Sequence, residues 1–149
     1  MTEVLFYHLQ RQPLEAVLPG LLERCVERNW RTVVQVGSEE RRDALDAHLW
    51  TYRDDGFLPH GTVNDGHPGL QPVWLTVGDD NPNGAEVRFL ADGADIPDYA
   101  GYRRVVRLFD GNDPDAVDQA RAAWTAAKAA GHDITYWQQT DGGRWEKKA

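Results

Sequence analysis

The stretch TVVQVGSEERRDALDAHLW, residues 32–50, carries the pattern that decides the fold. It opens with a short apolar run, residues 32–36, of the kind found in a buried strand of a parallel sheet. Ser38 then occupies the position of a helix cap, and residues 39–50 follow it as a helix. A buried strand that leads directly into a capped helix is the repeating unit of α/β proteins, so this stretch predicts a parallel sheet with flanking helices.

The residues before this stretch show the same order of elements. Residues 3–9, EVLFYHL, alternate and are rich in β-forming side chains, which predicts a strand. Residues 14–29 space their apolar side chains as a helix does, although Pro19 lies inside them. Because proline removes a helical hydrogen bond, this helix either begins near Leu18 or kinks there. Strand, helix, strand and helix together predict a βαβ unit.

The second half of the chain returns to this alternation after a loop-rich middle. Asp113 is expected to cap a long helix that has Pro114 at its first position and ends at Gly131. The C-terminal stretch TDGGRWEKKA is expected to be a loose terminal segment. All 149 residues then form a single domain, 1–149. Four further strands are predicted, at residues 73–77, 85–90, 102–109 and 133–139.

Composition narrows the functional classes. The formal net charge is −8, so a broad basic face that wraps duplex DNA is not expected, whereas a local basic pocket for an acidic peptide is compatible with it. Cys25 is the single cysteine, which excludes an intrachain disulfide and fits a reducing compartment. No apolar run approaches the roughly 20 residues of a membrane span, and no signal-peptide pattern is present. A cytoplasmic location without membrane contact is therefore expected.

The sequence offers no motif for nucleotide binding. The turn after the second predicted strand reads VQVGSEERR, with one glycine, Gly37, and two acidic residues that would repel a phosphate. The fold class nevertheless leaves a small nucleotide-binding enzyme on a Rossmann-like fold as the alternative function. That alternative predicts tight binding of a nucleotide that is abolished by changes near Gly37.

Metal and catalytic motifs are also missing from the sequence. Residues 79–90 begin like a calcium-binding EF-hand loop, but Leu90 stands where the loop needs a bidentate glutamate. His60 and His67 flank Asp65 without the spacing of a zinc site. No nucleophile motif or paired carboxylates suggest acid–base chemistry, so no catalytic, cofactor or metal site is predicted.

A basic and aromatic stripe is the most informative feature of the last predicted helix. Val117, Arg121, Trp124 and Lys128 fall on one side of it, about a quarter-turn from a seam of alanines suited to packing on a sheet. In one interpretation Trp124 covers the edge of the core beneath the aliphatic stems of the two cations. In the other, the four residues form a shallow groove for an acidic peptide with an apolar anchor.

A second candidate surface lies in HLWTYRDDGFLPHG, residues 48–61. Trp50 and Phe57 lie in or beside a turn-rich segment, and Leu58 and Pro59 follow. Aromatic residues on loops often fold back onto the core, and this is one interpretation. The other is an exposed apolar patch for a protein partner.

The order and spacing of four short motifs resemble the chi subunit family of bacterial DNA polymerase III. The motifs are FLPHG at residues 57–61, LFDG at 108–111, AR..W...K..GH at 120–132 and YWQQ at 136–139. The resemblance implies a three-layer α/β fold with a mainly parallel, mixed sheet, similar to a nucleotide-binding fold without its phosphate loop. It also implies a non-catalytic accessory subunit on the clamp-loader side of the replicase, with no cofactor.

Partners and their residues follow from the resemblance alone. It assigns Val117, Arg121, Trp124 and Lys128 to the acidic C-terminal tail of single-stranded DNA-binding protein. Trp124 replaces a tyrosine common in the family, and Thr125 stands where some members have a basic residue. The residues matched to the psi subunit, or to an iron–sulphur helicase in some bacteria, are Trp50, Phe57, Leu58 and Pro59. The resemblance implies no direct binding to DNA. A competing hypothesis is that the tryptophans bind single-stranded DNA directly, and it predicts binding to a bare oligonucleotide.

Overall fold

The computed structural model describes residues 2–52, 58–140 and 144–149. Among these residues, seven strands form one sheet in the order β3-β2-β4-β5-β1-β6-β7. Neighbouring strands are parallel, except that β6 and β7 are antiparallel. In chain order the elements are β1 (Glu3–Leu9), α1 (Leu14–Glu27), β2 (Thr32–Gln35), α2 (Glu39–Thr51), a 3-10 turn (Pro68–Leu70), β3 (Val73–Thr76), β4 (Val87–Leu90), β5 (Arg104–Asp110), α3 (Pro114–Ala129), β6 (Asp133–Gln139) and β7 (Trp145–Lys147).

The residues predicted to cap α2 and α3 and to end α3 do so in the structure. The Ser38 side chain accepts a hydrogen bond from the Arg41 amide at the start of α2, and Asp113 caps α3 in the same manner. At the end of α3, Gly131 adopts a φ of 82°, which a residue with a side chain rarely tolerates. The amides of Gly131 and His132 then close the helix by bonding the carbonyls of Lys128 and Ala127.

The sheet carries helices on both faces, which confirms the three-layer α/β fold. On the first face, side chains of α1 and α2 share a core cluster with residues such as Leu5, Val34 and Phe89. On the second face, the small side chains of Ala120 and Ala127 let α3 pack closely against β1 and β5. The sheet is parallel as predicted, but β4 and β5 lie between β1 and β2, so the first βαβ unit skips two strands.

The prediction of a loose C-terminal segment is wrong. Residues Trp145–Lys147 form β7, which pairs with the end of β6 in the register Gln139↔Trp145. The Trp145 ring meets the Tyr7 ring edge-on, with centroids 4.9 Å apart, so burial of an indole stabilises this strand. The missed sequence signal is the Asp-Gly pair at 141–142, a common hairpin dipeptide.

Helix α1 begins at Leu14 and runs through Pro19, so the prediction that it begins near Leu18 is wrong. Pro19 has no N–H to offer the carbonyl of Glu15, four residues earlier. The Nε2 atom of His48, on α2, lies 2.7 Å from that oxygen and donates to it. The proline therefore creates an acceptor that joins the two helices of the first face.

The arginine of β4, Arg88, is completely buried on the second face of the sheet. Its guanidinium donates to the Gln35 side chain at 2.6 Å, to the Gly78 carbonyl at 2.6 Å and to the Asp80 carbonyl at 2.9 Å. Its Nε atom also donates to the Gln35 side chain at 3.2 Å, and a fifth bond reaches the Tyr102 hydroxyl at 3.0 Å. Because every partner is neutral, this cation stays buried only while the loops around it supply their oxygens.

Replacing His48 by Ala should remove the donor for the Glu15 carbonyl and lower the free energy of unfolding by about 1 kcal/mol. In a Pro19→Ala background the loss should be smaller, because an alanine at this position supplies the missing helical N–H. Urea unfolding of the four proteins of this double-mutant cycle measures the difference. Equal losses in both backgrounds would contradict the assignment of His48 to that carbonyl.

Replacing Arg88 by Met should lower the free energy of unfolding by about 3 kcal/mol or more, because several buried acceptors lose their donor together. Arg144→Met, at an exposed arginine before β7, is the control and should change stability by less than about 0.5 kcal/mol. Thermal and urea unfolding measure both. A small loss for Arg88→Met would show that water or nearby groups replace the guanidinium.

Candidate protein-binding site

The four residues of the predicted stripe share one flank of α3, as their spacing requires. Val117 and Trp124 are half-buried and pack against the core cluster of the second face. Arg121 and Lys128 are exposed. Within residues 2–52, 58–140 and 144–149, neither cation takes part in an ion pair. The flank therefore combines an apolar floor with two cations that no described residue neutralises through an ion pair.

The indole of Trp124 is held in a fixed position by two other rings. Its centroid lies 5.4 Å from that of Phe6, with the planes inclined by 60°, and 6.0 Å from that of Tyr136, with the planes nearly perpendicular. Both geometries are favourable for aromatic pairs. Trp124 thus packs against the core and leaves part of its surface exposed, and its role in peptide binding stays a prediction.

Tyr136, on β6, is a member of this surface that the sequence reasoning did not assign. It belongs to the YWQQ motif and faces the same side of the sheet as Phe6, its register partner on β1. Burial raises the pKa of Tyr136, and the nearby Arg121 charge opposes that rise. The Arg121 side chain therefore lies close enough to the phenol to interact with it electrostatically.

His8, which contacts Tyr136, is the reason that the LFDG motif needs a glycine at Gly111. The Tyr136 hydroxyl and His8 Nδ1 are hydrogen-bonded. Burial lowers the pKa of His8, and the charge of Asp110 partly opposes this shift. A Cβ atom on Gly111 would lie 1.9 Å from His8 Nε2, so only glycine leaves room for the imidazole.

The second predicted surface is only partly exposed. Trp50, at the end of α2, has 49% of its surface exposed and its ring lies 4.6 Å from that of His60. Pro59 is half-buried. Leu58 is 2% exposed and belongs to the core of the first face, so it supports this surface from below. Phe57 lies outside the described residues.

His60 anchors that surface from within. Its Nδ1 atom is 2.7 Å from the Leu58 carbonyl, and its Nε2 atom is 3.2 Å from the Asp46 carbonyl. Nε2 also lies 3.1 Å from the Asp46 carboxylate, at an ion-pair distance, although the bond direction favours the carbonyl. Burial raises the pKa of Asp46, and the charge of His60 opposes that rise. The His60 ring is thereby fixed as a platform for Trp50.

A crevice of about 660 Å³ lies at the carboxyl ends of β1, β4 and β5. Ligands of doubly wound sheets commonly bind at this position. Arg41 is held there by Glu15 at 2.7 Å and Asp92 at 3.0 Å. Burial alone would raise the pKa of Glu15, but its bond to Arg41 and the Arg41 charge bring it below the usual value. Five carboxylates and three arginines line the crevice, so its net charge is negative and disfavours a phosphate group; they are Glu15, Asp92, Asp110, Asp113, Asp115, Arg11, Arg41 and Arg107.

The described residues contain neither a cluster of metal ligands nor a helix that could span a membrane. Within 2–52, 58–140 and 144–149, no three His, Cys, Asp or Glu side chains converge as they would around a metal ion. In the same ranges no helix has the length and apolar character needed to cross a membrane.

Comparison with known proteins identifies the family. Residues 1–135 match the family described as DNA polymerase III chi subunit, HolC. This chain belongs to that family. The resemblance predicted from the four motifs is therefore confirmed, and the matched range includes Trp50 and all of α3. Membership of the chi family makes the chain a relative of replicase subunits.

Two relatives carry the same description. The chain is 28% identical over 109 residues to the probable DNA polymerase III subunit chi of Rickettsia prowazekii strain Madrid E, covering 73% of this chain and 66% of that protein. It is 32% identical over 83 residues to DNA polymerase III subunit chi of Pseudomonas aeruginosa strain PAO1, covering 53% of this chain and 56% of that protein. The matches thus span less than two thirds of either relative.

Substitutions in the stripe should distinguish residues that stabilise the fold from residues that are available only for binding. Because Arg121 and Lys128 are exposed and unpaired within the described residues, replacing either by Ala should change the free energy of unfolding by less than about 0.5 kcal/mol. Trp124→Ala should lower it by about 2 kcal/mol, because contacts with Phe6 and Tyr136 are lost. Urea unfolding measures all three; a comparable loss for the cations would assign them a structural role.

Proposed function

We propose that this chain is a non-catalytic adaptor of DNA polymerase III that binds the acidic C-terminal tail of single-stranded DNA-binding protein. The observation that carries the proposal is the flank of α3, where Arg121 and Lys128 remain unpaired among the described residues on either side of a fixed indole. The four-motif resemblance and the chi family membership supply the partner class. The adaptor would act on the clamp-loader side of the replicase, in the cytoplasm.

The spacing of the two cations defines the ligand. Lys128 comes seven positions after Arg121 in the helix, so their backbone positions are about 10 Å apart along the axis. An extended peptide covers that distance in about three residues. Carboxylates spaced in this way would pair with both cations while an aromatic side chain between them contacts Trp124 and Val117.

The acidity of the protein suits this mode of recruitment. With a net charge of −8, the chain would be repelled by the DNA backbone but can still attract an acidic tail at one local basic flank. Exposed charge pairs are weakened by salt and exchange quickly, as a replicase contact that must release and rebind requires. Several tails on one DNA-bound protein would raise the effective concentration.

A separate surface is proposed for the partner subunit psi, or for an iron–sulphur helicase in organisms that use one. It is centred on Trp50 and includes Pro59, with Leu58 as support and Phe57 as a further candidate from the motif match. Trp50 supports this because a large exposed aromatic ring on a fixed platform is typical of binding hot spots. The two proposed surfaces belong to helices on opposite faces of the sheet.

The nucleotide-binding enzyme receives no support from the geometry. The crevice in which a nucleotide would bind is lined by carboxylates, and its Arg41 is already engaged by Glu15 and Asp92. A Cβ atom on Gly37 would lie 2.8 Å from the Asp92 carbonyl, so this glycine serves a close backbone approach. Its presence therefore needs no phosphate to explain it.

Fluorescence anisotropy with a labelled tail peptide tests the adaptor proposal. Arg121→Ala should weaken binding by about tenfold or more, the size expected for a lost charge-assisted bond, and added salt should weaken binding to the wild type. Arg144→Ala removes the same charge outside α3 and is the matched control. Undiminished binding to Arg121→Ala would place the site elsewhere. Binding to a bare oligonucleotide without the peptide would favour the direct single-strand hypothesis.

A further inference from the structure

A second basic and aromatic surface lies on the opposite face of the sheet from α3. It is a groove of about 310 Å³ beside the last turns of α1. Tyr7, Leu21 and Trp137 form its floor; all three are half-buried and pack on the core of the first face. Arg24 and Arg28 stand at its rim, one helical turn apart on α1. None of the residues of the α3 stripe lines this groove.

Three guanidinium groups lie around the Trp30 ring at the rim of the groove. The Cζ atoms of Arg28, Arg103 and Arg104 lie 5.0, 4.8 and 5.0 Å from the centre of its ring. Each distance is within the range of a cation–π contact. Because three guanidinium groups lie within about 5 Å of this half-buried indole, Trp30 holds the cations together, and a base stacked on its ring would compete with them.

The cluster keeps a local excess of positive charge. Arg104 pairs with Glu3 at 2.6 Å, and Arg103 makes a looser pair with Glu86 at 3.7 Å. Arg24 and Arg28 form no ion pair with any residue in the described ranges. In a protein with a net charge of −8, two such arginines beside an apolar floor are an unusual concentration of positive charge.

We propose that this groove is a second peptide-binding site, which takes a short acidic segment of a protein partner. Its carboxylates would pair with Arg24 and Arg28, and one apolar side chain would enter the groove against Tyr7 and Trp137. The volume suits one side chain of a peptide, and arginine and aromatic residues are the usual anchors of such interfaces. The site does not include the α3 stripe, so the proposal can be tested independently of the proposed adaptor function.

A single-stranded nucleic acid fits these features less well. Its phosphates would continue beyond the arginine cluster onto an acidic protein surface, where they would be repelled. Its bases would need free aromatic faces, whereas Trp30 is crowded by guanidinium groups. The acidic peptide is therefore the occupant that charge and ring geometry favour.

The test uses a blocked synthetic peptide, acetyl-Glu-Asp-Phe-Asp-Glu-amide, and the full chain labelled with nitrogen-15. The indole N–H signals of Trp30 and Trp124, assigned with Trp→Phe variants, report the groove and the α3 stripe separately in one titration. Two double variants remove the same charge: Arg24→Ala with Arg28→Ala in the groove, and Arg121→Ala with Lys128→Ala on α3. Circular dichroism and urea unfolding verify that both variants are folded.

The proposal predicts that the peptide shifts the Trp30 signal and that the groove variant weakens this shift by about tenfold or more in Kd. The α3 variant should leave the Trp30 titration unchanged. A response confined to Trp124, or no response, would overturn the groove proposal, and the α3 proposal keeps its own test with the tail peptide. A Trp30 shift produced by oligothymidylate and not by the peptide would overturn the acidic-peptide occupant in favour of nucleic acid.

Discussion

The buried guanidinium of Arg88 is the constraint on which the arrangement of the second sheet face depends. Among the described residues, α3 is the helix that covers this face, and it covers the part made by β1, β5 and β6. The part made by β2 and β4 is instead closed by loops whose carbonyls and Tyr102 surround Arg88. The stripe lies on the other side of α3, where Trp124 packs on Tyr136 of β6 and the Arg121 charge acts on the same phenol. Arg121 and Lys128 are therefore exposed toward β6 and not toward the loops around Arg88.

Under both binding proposals, local charge and not net charge decides what this acidic member of the chi family binds. Two of its basic surfaces place cations beside aromatic rings that packing has already immobilised: Trp124 against Phe6, and Tyr7 against Trp137 and Trp145. An immobilised ring loses little conformational freedom when a ligand arrives, so its contact area contributes more to binding. The arginines and the lysine add orientation and salt dependence. Both surfaces therefore suit an acidic peptide better than a long polyanion.

Most elements could be predicted because their signals are local. Ser38, Asp113 and Gly131 act through bonds to amides or carbonyls within a few residues, so the sequence nearby is sufficient to recognise them. β7 was missed because its stability comes from the packing of Trp145 on Tyr7, which is remote in sequence. The sequence left the start of α1 open between two alternatives for a related reason: the carbonyl that Pro19 leaves unbonded is served by His48 from another helix.

The sequence alone determined the α/β class, the helix ends and the shared flank of Val117, Arg121, Trp124 and Lys128, because helical periodicity fixes which residues lie together. It also carried the motifs of the chi family. Only the tertiary structure decided that Leu58 lies in the core while Trp50 is half exposed, and that Tyr136 and His8 support the stripe. It alone brought Arg28, Arg103 and Arg104 around Trp30. These outcomes depend on strand order and on which side chains compete for the same buried space, and neither is encoded in local spacing.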